Sequence, residues 1–290
     1  MLAARADGAT ESGEQRAVDA VVSRTGNPDV TRLAEQVAAG QLRVADLASR
    51  LSDDEARKVA YEGALTIINA DGVATLSEKA FLAELRTALG LGGADVEDVT
   101  RTAETLATAP VADARAVPTP PGDLDEFILQ QAILTGALEV LPDRLASIAI
   151  LPLQLRLVYQ IGRRHGQQLD VAQVKDLAAT FGLSAAAQSV QGAAIKVIGG
   201  LTGGLLGGLV GGASRVAVGA VMSFSTTYAL GHVAEQYYKQ GRKLSMADLR
   251  ALFDRFQGEA KTIYPRVEEQ VRRQAGTLNL QSLLQQLRTG

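Results

Sequence analysis

The chain has 290 residues, with 29 Lys+Arg against 32 Asp+Glu for a net charge of −3 at pH 7, and it contains no Cys, no Trp and two His. That length suits one or two domains with a substantial core, and the composition excludes disulfides, thiol catalysis and thiolate zinc sites. The absence of Cys fits a reducing compartment. Aromatic residues are 4% of the chain against 47% hydrophobic, so base stacking has little to work with and no nucleic-acid partner is expected. The near-neutral total hides a split. Residues 1–145 hold 13 basic and 24 acidic residues, net −11, and residues 146–290 hold 16 basic and 8 acidic, net +8. Opposite signs on the two halves suggest modules with different partners.

In chain order, residues 1–28 are polar and end at the breaker Gly26-Asn27-Pro28, so they read as a flexible N-terminus without the apolar run of a secretory signal. A helix is predicted from Asp29 to Ala39, stopping at Gly40, and another starts near Val44. Ser52-Asp53-Asp54-Glu55 supplies a cap and acidic first-turn residues for a third. Its apolar positions Val59, Ala60, Ala64, Ile67 and Ile68 fall at helical spacing. Thr75-Leu76-Ser77-Glu78 is a capping box, and Phe81, Leu82, Leu85 and Leu89 form the stripe of the helix it opens. Gly90-Leu91-Gly92-Gly93 ends that helix, and another covers Val96–Ala107. Residues 109–122 hold four prolines in fourteen residues, which favours an extended linker. The expected organisation is a helical domain over 29–108, the linker, a second helical domain over 123–275 and a tail over 276–290.

The second domain is predicted to begin with a helix from Leu124 to about Leu141. A further apolar helix follows over Leu145–Gln160, interrupted at Pro152, and then a short amphipathic helix over Val171–Phe181. Ser245 caps a helix over Met246–Ala260, and Tyr264–Ala275 and Leu280–Leu287 complete the tail. No alternating run argues for a strand, so the chain reads as all-α.

Residues 193–234 stand apart. Gly199, Gly200, Gly203, Gly204, Gly207, Gly208, Gly211 and Gly212 recur as pairs every four residues. A helix would put them on one face, with Leu201, Leu205, Leu206, Leu209 and Val210 on the other. The 18 uncharged residues between Lys196 and Arg215 would rise about 27 Å, close to a hydrocarbon core. Eight glycines in an exposed helix would cost about 7 kcal/mol against Ala, so such a helix needs a bilayer or a closely packed partner, as in small-residue helix pairing. The following stretch is nearly as apolar, and its Gly219, Ala220, Ser223 and Thr227 could fit a glycine face. The segment therefore reads as a helical hairpin turning near Ala213-Ser214-Arg215, either membrane-associated and self-associating or packed in a soluble core. Arg156, Arg163, Arg164, Lys175, Lys196, Lys239, Arg242 and Lys243 suit an anionic lipid surface. The spacing lacks a phosphate-binding Gly-x-Gly-x-x-Gly. His165 and His232 are read as lacking an acidic or second His neighbour at ligand spacing, and no catalytic constellation is visible.

Two stretches resemble known families. Tyr61-Glu62-Gly63-Ala64, Asn69-Ala70-Asp71-Gly72, Ser77-Glu78 and Leu89-Gly90-Leu91 resemble the TerB-like fold, the helical module named after a tellurite-resistance protein. The resemblance implies a metal-binding or interaction face at Glu62, Asp71 and Glu78. The residues themselves allow a divalent-cation site there or a solvated acidic docking face, and Glu78 is also explained by capping alone. Leu141-Pro142-Asp143, Ile150-Leu151-Pro152-Leu153-Gln154, Thr227-Tyr228-Ala229-Leu230-Gly231 and Tyr237-Tyr238-Lys239-Gln240-Gly241 look like the YcjF-like domain. That resemblance implies a bacterial, inner-membrane-associated, stress-linked protein with its bulk on the cytoplasmic face. The expected function is a non-enzymatic membrane-associated adaptor with an unidentified protein partner. The alternative is a soluble cytoplasmic protein that responds to a divalent cation.

Overall fold

The structure, a computed structural model, describes residues 2–3, 28–51, 53–69, 74–108, 122–141, 144–167, 212–279 and 282–283. Among the described residues 82% are helical and none is in a strand, so the fold is all-α. The helices are α1 (Pro28–Ala38), α2 (Val44–Ala48), α3 (Asp54–Ile68), α4 (Leu76–Ala88), α5 (Ala94–Thr108), α6 (Leu124–Val140), α7 (Ile150–Arg164), α8 (Gly212–Lys239) and α9 (Met246–Thr277), with a 3-10 helix at Arg144–Ala149. Local chemistry sets the expected boundaries. The Asp53 carboxylate caps α3 through Ala56 N. Thr75 and Glu78 close a reciprocal capping box on α4, and Ser245 and Asp248 do the same for α9. Gly90 ends α4 in the left-handed region at φ 65, where L side chains are strained.

One hydrophobic cluster is built by α6, α7, α8 and α9. Helix α8 is its axis: every residue from Ser223 to Ala234 is buried. Helix α7 is buried from Ile150 to Gly162 except for half-buried Arg156, and it emerges at Arg163 and Arg164. A helix apolar on all sides must be surrounded, and here α6, α7 and α9 surround α8. The apolarity of Ser223–His232, part of the stretch expected to serve as a hairpin arm, is therefore met within the protein. No described helix is long and apolar enough to cross a membrane.

Several expectations change. Ala213-Ser214-Arg215 lies inside α8 and makes no turn. Pro152 does not interrupt α7; it sits in the first turn, where its missing N–H would have had no intrahelical acceptor. The two helices expected over Met246–Ala260 and Tyr264–Ala275 are one 32-residue helix with Pro265 inside it. Its buried positions Leu249, Phe253, Phe256, Ala260, Tyr264, Val267, Val271 and Ala275 continue across the proline, and that stripe outweighs one lost hydrogen bond.

A second cluster holds Leu65, Ile68, Leu82, Leu89, Ala103 and Leu106 from α3 to α5, together with Leu138, Ala146, Ile148, Ile150 and Leu153 from beyond the proline-rich segment. The 3-10 helix packs on both α3 and α5. Ala3, placed by the sequence in a flexible terminus, is buried in the same cluster, as is Leu283. The helices at 171–181, Asp71-Gly72 and residues 193–211 lie outside the described residues.

Helices α6 and α8 cross closely because small residues meet there. A Cβ built on Gly136 would lie 3.3 Å from the Ala220 carbonyl oxygen, and one on Gly231 would lie 2.7 Å from Ile128 Cγ2. Ile128 is fully buried and β-branched, so Gly231→Ala should destabilise by about 1–3 kcal/mol through overpacking. In Gly231→Ala combined with Ile128→Ala the two losses should fall well short of additive. Denaturant titration of the four proteins checks both statements.

Burial also raises the hydroxyl pKa of Tyr238 and of Tyr264, with Glu268 adding to the latter. The folded state then holds protons that the unfolded chain releases from about pH 10 upward. This stability contribution is complete below that pH and declines above it. Unfolding midpoints compared at pH 9 and pH 11 should fall less for Tyr238→Phe than for the parent.

Candidate functional site

Buried polar side chains thread the crossing of α6, α7 and α8. Thr135 Oγ1 donates to Thr227 Oγ1 at 2.8 Å, and Gln154 Nε2 donates to the same oxygen at 2.9 Å. Thr227 Oγ1 also reaches the Ser223 carbonyl at 2.8 Å, and Ser223 Oγ donates to Glu139 Oε1 at 3.2 Å. Glu139 in turn sits against Gly219. Gly219, Ala220, Ser223 and Thr227, expected to face a glycine arm, thus face α6 and α7. The seam fixes helix register, since each member left unpaired would cost about 1–3 kcal/mol.

A chemically different group lies farther along α8. Asp123 caps α6 by accepting from Asp125 N at 3.0 Å, which sets the Asp125 carboxylate at the helix start, beside His232 and Glu235 of α8. His232 Nδ1 stands 3.8 Å from Asp125 Oδ1 and 3.8 Å from Glu235 Oε2. The three donor atoms lie within 4.8 Å of one another. The imidazole packs on Tyr228 at 4.3 Å and stacks on Phe256 at 4.9 Å, leaving His232 only 7% exposed. Its Nε2 is buried with no hydrogen-bond partner. Burial holds the His232 pKa below its ordinary 6.5, opposed by the carboxylates of Asp125, Glu235 and Glu259, which favours the neutral ring. Burial, and then Glu259, push the Tyr228 hydroxyl up to about 12, and that hydroxyl donates to Glu259 Oε1 at 3.4 Å. Arg255 lies over the far partner ring, 4.5 Å from the Phe256 centroid. A neutral imidazole beside two carboxylates can share a cation or, once protonated, form an ion pair with either acid.

The residues expected from the sequence sit elsewhere. Glu78 Oε2 accepts from Thr75 N at 2.7 Å and from Thr75 Oγ1 at 2.8 Å, so its carboxylate serves the cap. Glu62 is half-buried on α3, and Asp71 lies outside the described residues. Among the described residues, Asp125, His232 and Glu235 are the group of three with metal-ligating geometry. Of the repeat glycines, Gly212 opens α8, and Gly199, Gly200, Gly203, Gly204, Gly207, Gly208 and Gly211 lie outside the described residues. His165 caps the end of α7 through its backbone.

The reading of His232 as having no acidic neighbour was incorrect. Glu235 follows it by three positions, which on a helix is the same face. That half of the group was legible in the sequence. Asp125 was not, because it reads as an ordinary first-turn carboxylate and meets His232 only through the packing of α6 on α8. No protein-family model, no curated protein and no solved structure matches this chain.

Proposed function

We propose that the protein is a non-enzymatic adaptor that engages an anionic membrane surface or a second copy of itself through the glycine-repeat stretch 193–211, and recruits a protein partner through its acidic N-terminal helices. The observation that carries this reading is the occupied small-residue face of α8. Gly219, Ala220, Ser223 and Thr227 are matched to α6 and α7 and do not serve as the partner face for the glycine pairs, so lipid or another chain is proposed in their place. The resemblances to TerB-like and YcjF-like modules favour a bacterial setting, the cytoplasmic face of the inner membrane and a link to stress. A divalent-cation site at Glu62, Asp71 and Glu78 has less support, because Glu78 is engaged by Thr75.

We place the proposed contact at the glycine stretch rather than at the basic residues of the bundle. Arg164 donates to the Gly122 carbonyl at 2.9 Å, which sets the end of α7 beside the start of α6. The 3.8 Å approach of His232 to Asp125 puts the end of α8 at the same place. Arg163, Arg164, Lys239, Arg242 and Lys243 therefore share one end of the bundle. Gly212 opens the 28-residue α8 at the other end, about 40 Å away at 1.5 Å per residue.

The test is flotation of the intact chain with vesicles containing anionic lipid, beside a variant in which residues 197–211 are replaced by a Gly-Ser linker of equal length. Helix α8 stays whole in both. The intact chain should float or sediment as an oligomer, and the variant should do neither. Identical behaviour of the two proteins would remove the glycine stretch from the function.

A further inference from the structure

We propose that Asp125, His232 and Glu235 bind a first-row divalent transition-metal cation, of the zinc class, where the first turn of α6 meets α8. The inference is independent of the adaptor reading, since it uses only residues of the helical bundle. Three features of the group carry it.

The first is spacing. His232 Nδ1 is 3.8 Å from one oxygen of each acid, beyond the roughly 3.2 Å limit of an N–H···O hydrogen bond. Donor atoms bound to one tetrahedral zinc at about 2.0–2.2 Å stand about 3.4 Å apart. Each acid oxygen stands a few tenths of an ångström too far from Nδ1 for a ligand set, and the three atoms, within 4.8 Å of one another, must draw together around the ion. Asp125, with its side chain 71% exposed, has the freedom to make that adjustment.

The second is the imidazole. It is more than nine-tenths buried, held between Tyr228 and Phe256, and its Nε2 has no partner. The packing fixes the ring and pre-orients Nδ1 between the two carboxylates, so Nδ1 is the ligating nitrogen and Nε2 carries the proton.

The third is charge. Glu259 lies close enough to His232 and Tyr228 to influence both, so three carboxylates converge on one ring. The cation of Arg255 is spent over Phe256. One nitrogen and two oxygen ligands suit zinc and its neighbours better than calcium or magnesium, which take oxygen alone. Three protein ligands leave the remaining position for water. The bound ion would tie the start of α6 to α8 at the end of the bundle reached from residues 109–121.

The intact protein, freed of metal by chelator and dialysis, is titrated with ZnCl2 by calorimetry and by thermal unfolding. One saturable site and a raised Tm are expected. Asp125→Asn and Glu235→Gln should each weaken zinc binding at least tenfold while the metal-free protein keeps its helicity. His232→Ala should abolish binding; where loss of the packed ring unfolds the chain, the two acid variants carry the test. MgCl2 and CaCl2 at millimolar concentration should leave the Tm in place. Glu62→Gln combined with Glu78→Gln should bind zinc like the parent. Absence of saturable binding, unchanged affinity in both Asp125→Asn and Glu235→Gln, an equal response to CaCl2, or loss of binding in the Glu62/Glu78 variant would each overturn the assignment.

Discussion

Phe224→Ala should destabilise the protein by about 3–5 kcal/mol, the range for deleting a fully buried aromatic ring. Phe224 is completely buried. It stacks on Tyr228 with centroids 6.1 Å apart and meets Tyr264 edge-on at 5.3 Å. On its other side stands the backbone of α6 at Gly136. No side chain at position 136 can move into the vacancy, and the backbones of α6 and α8 are pinned by the Thr135–Thr227–Gln154 contacts. The cavity should therefore collapse poorly, placing the loss toward the upper end of the range. Phe224→Leu, which retains most of the volume, should cost under about 1.5 kcal/mol. Denaturant unfolding followed by helicity checks both. A loss below 1 kcal/mol for Phe224→Ala would mean that the ring is not where α6, α8 and α9 converge.

Ile148→Ala should cost about 2–5 kcal/mol, and the loss should be felt on both sides of the proline-rich segment. Ile148 is fully buried in the cluster that also holds Leu65, Leu89 and Leu106, and its 3-10 helix packs on α3 and α5. If that cluster is one cooperative unit, amide exchange in Ile148→Ala should accelerate together in residues 54–108 and 144–164. Unchanged protection in 54–108 would mean that the N-terminal helices hold their core alone.

Much of the fold was legible because it rests on local rules. The capping boxes at Thr75 and Ser245, the Asp53 cap and the left-handed Gly90 each follow from a few adjacent residues. What was not legible depends on neighbours distant in sequence. The apolarity of Ser223–His232 is met because three helices enclose α8, and the same letters would serve a bilayer. The expected break between Ala260 and Tyr264 is absent because the buried stripe of α9 runs through it, a pattern spread over the whole helix. The charge split was partly a matter of where the chain was cut. Counted from residue 122, the two parts carry −7 and +4, because Asp123, Asp125, Glu126, Glu139 and Asp143 follow the proline-rich segment. One of those carboxylates, Asp125, belongs to the histidine group.

The buried stripe of α9 has a consequence for the path of the bundle. Its positions advance by 4, 3 and 4 residues from Leu249 to Ala260, and by the same steps from Ala260 to Val271. That is an 11-residue repeat, about 3.67 residues per turn, slightly longer than the 3.6 of a straight α-helix. A seam of this period drifts in the sense opposite to a heptad seam, so α9 should lie almost straight along α8 with a faint right-handed wrap. Nor does such a seam tolerate a shift in phase. One residue inserted after Gly258 would rotate Ala260, Tyr264, Val267 and Val271 by about 100°, turning that half of the helix's contact face away from its partners while leaving the first half in place.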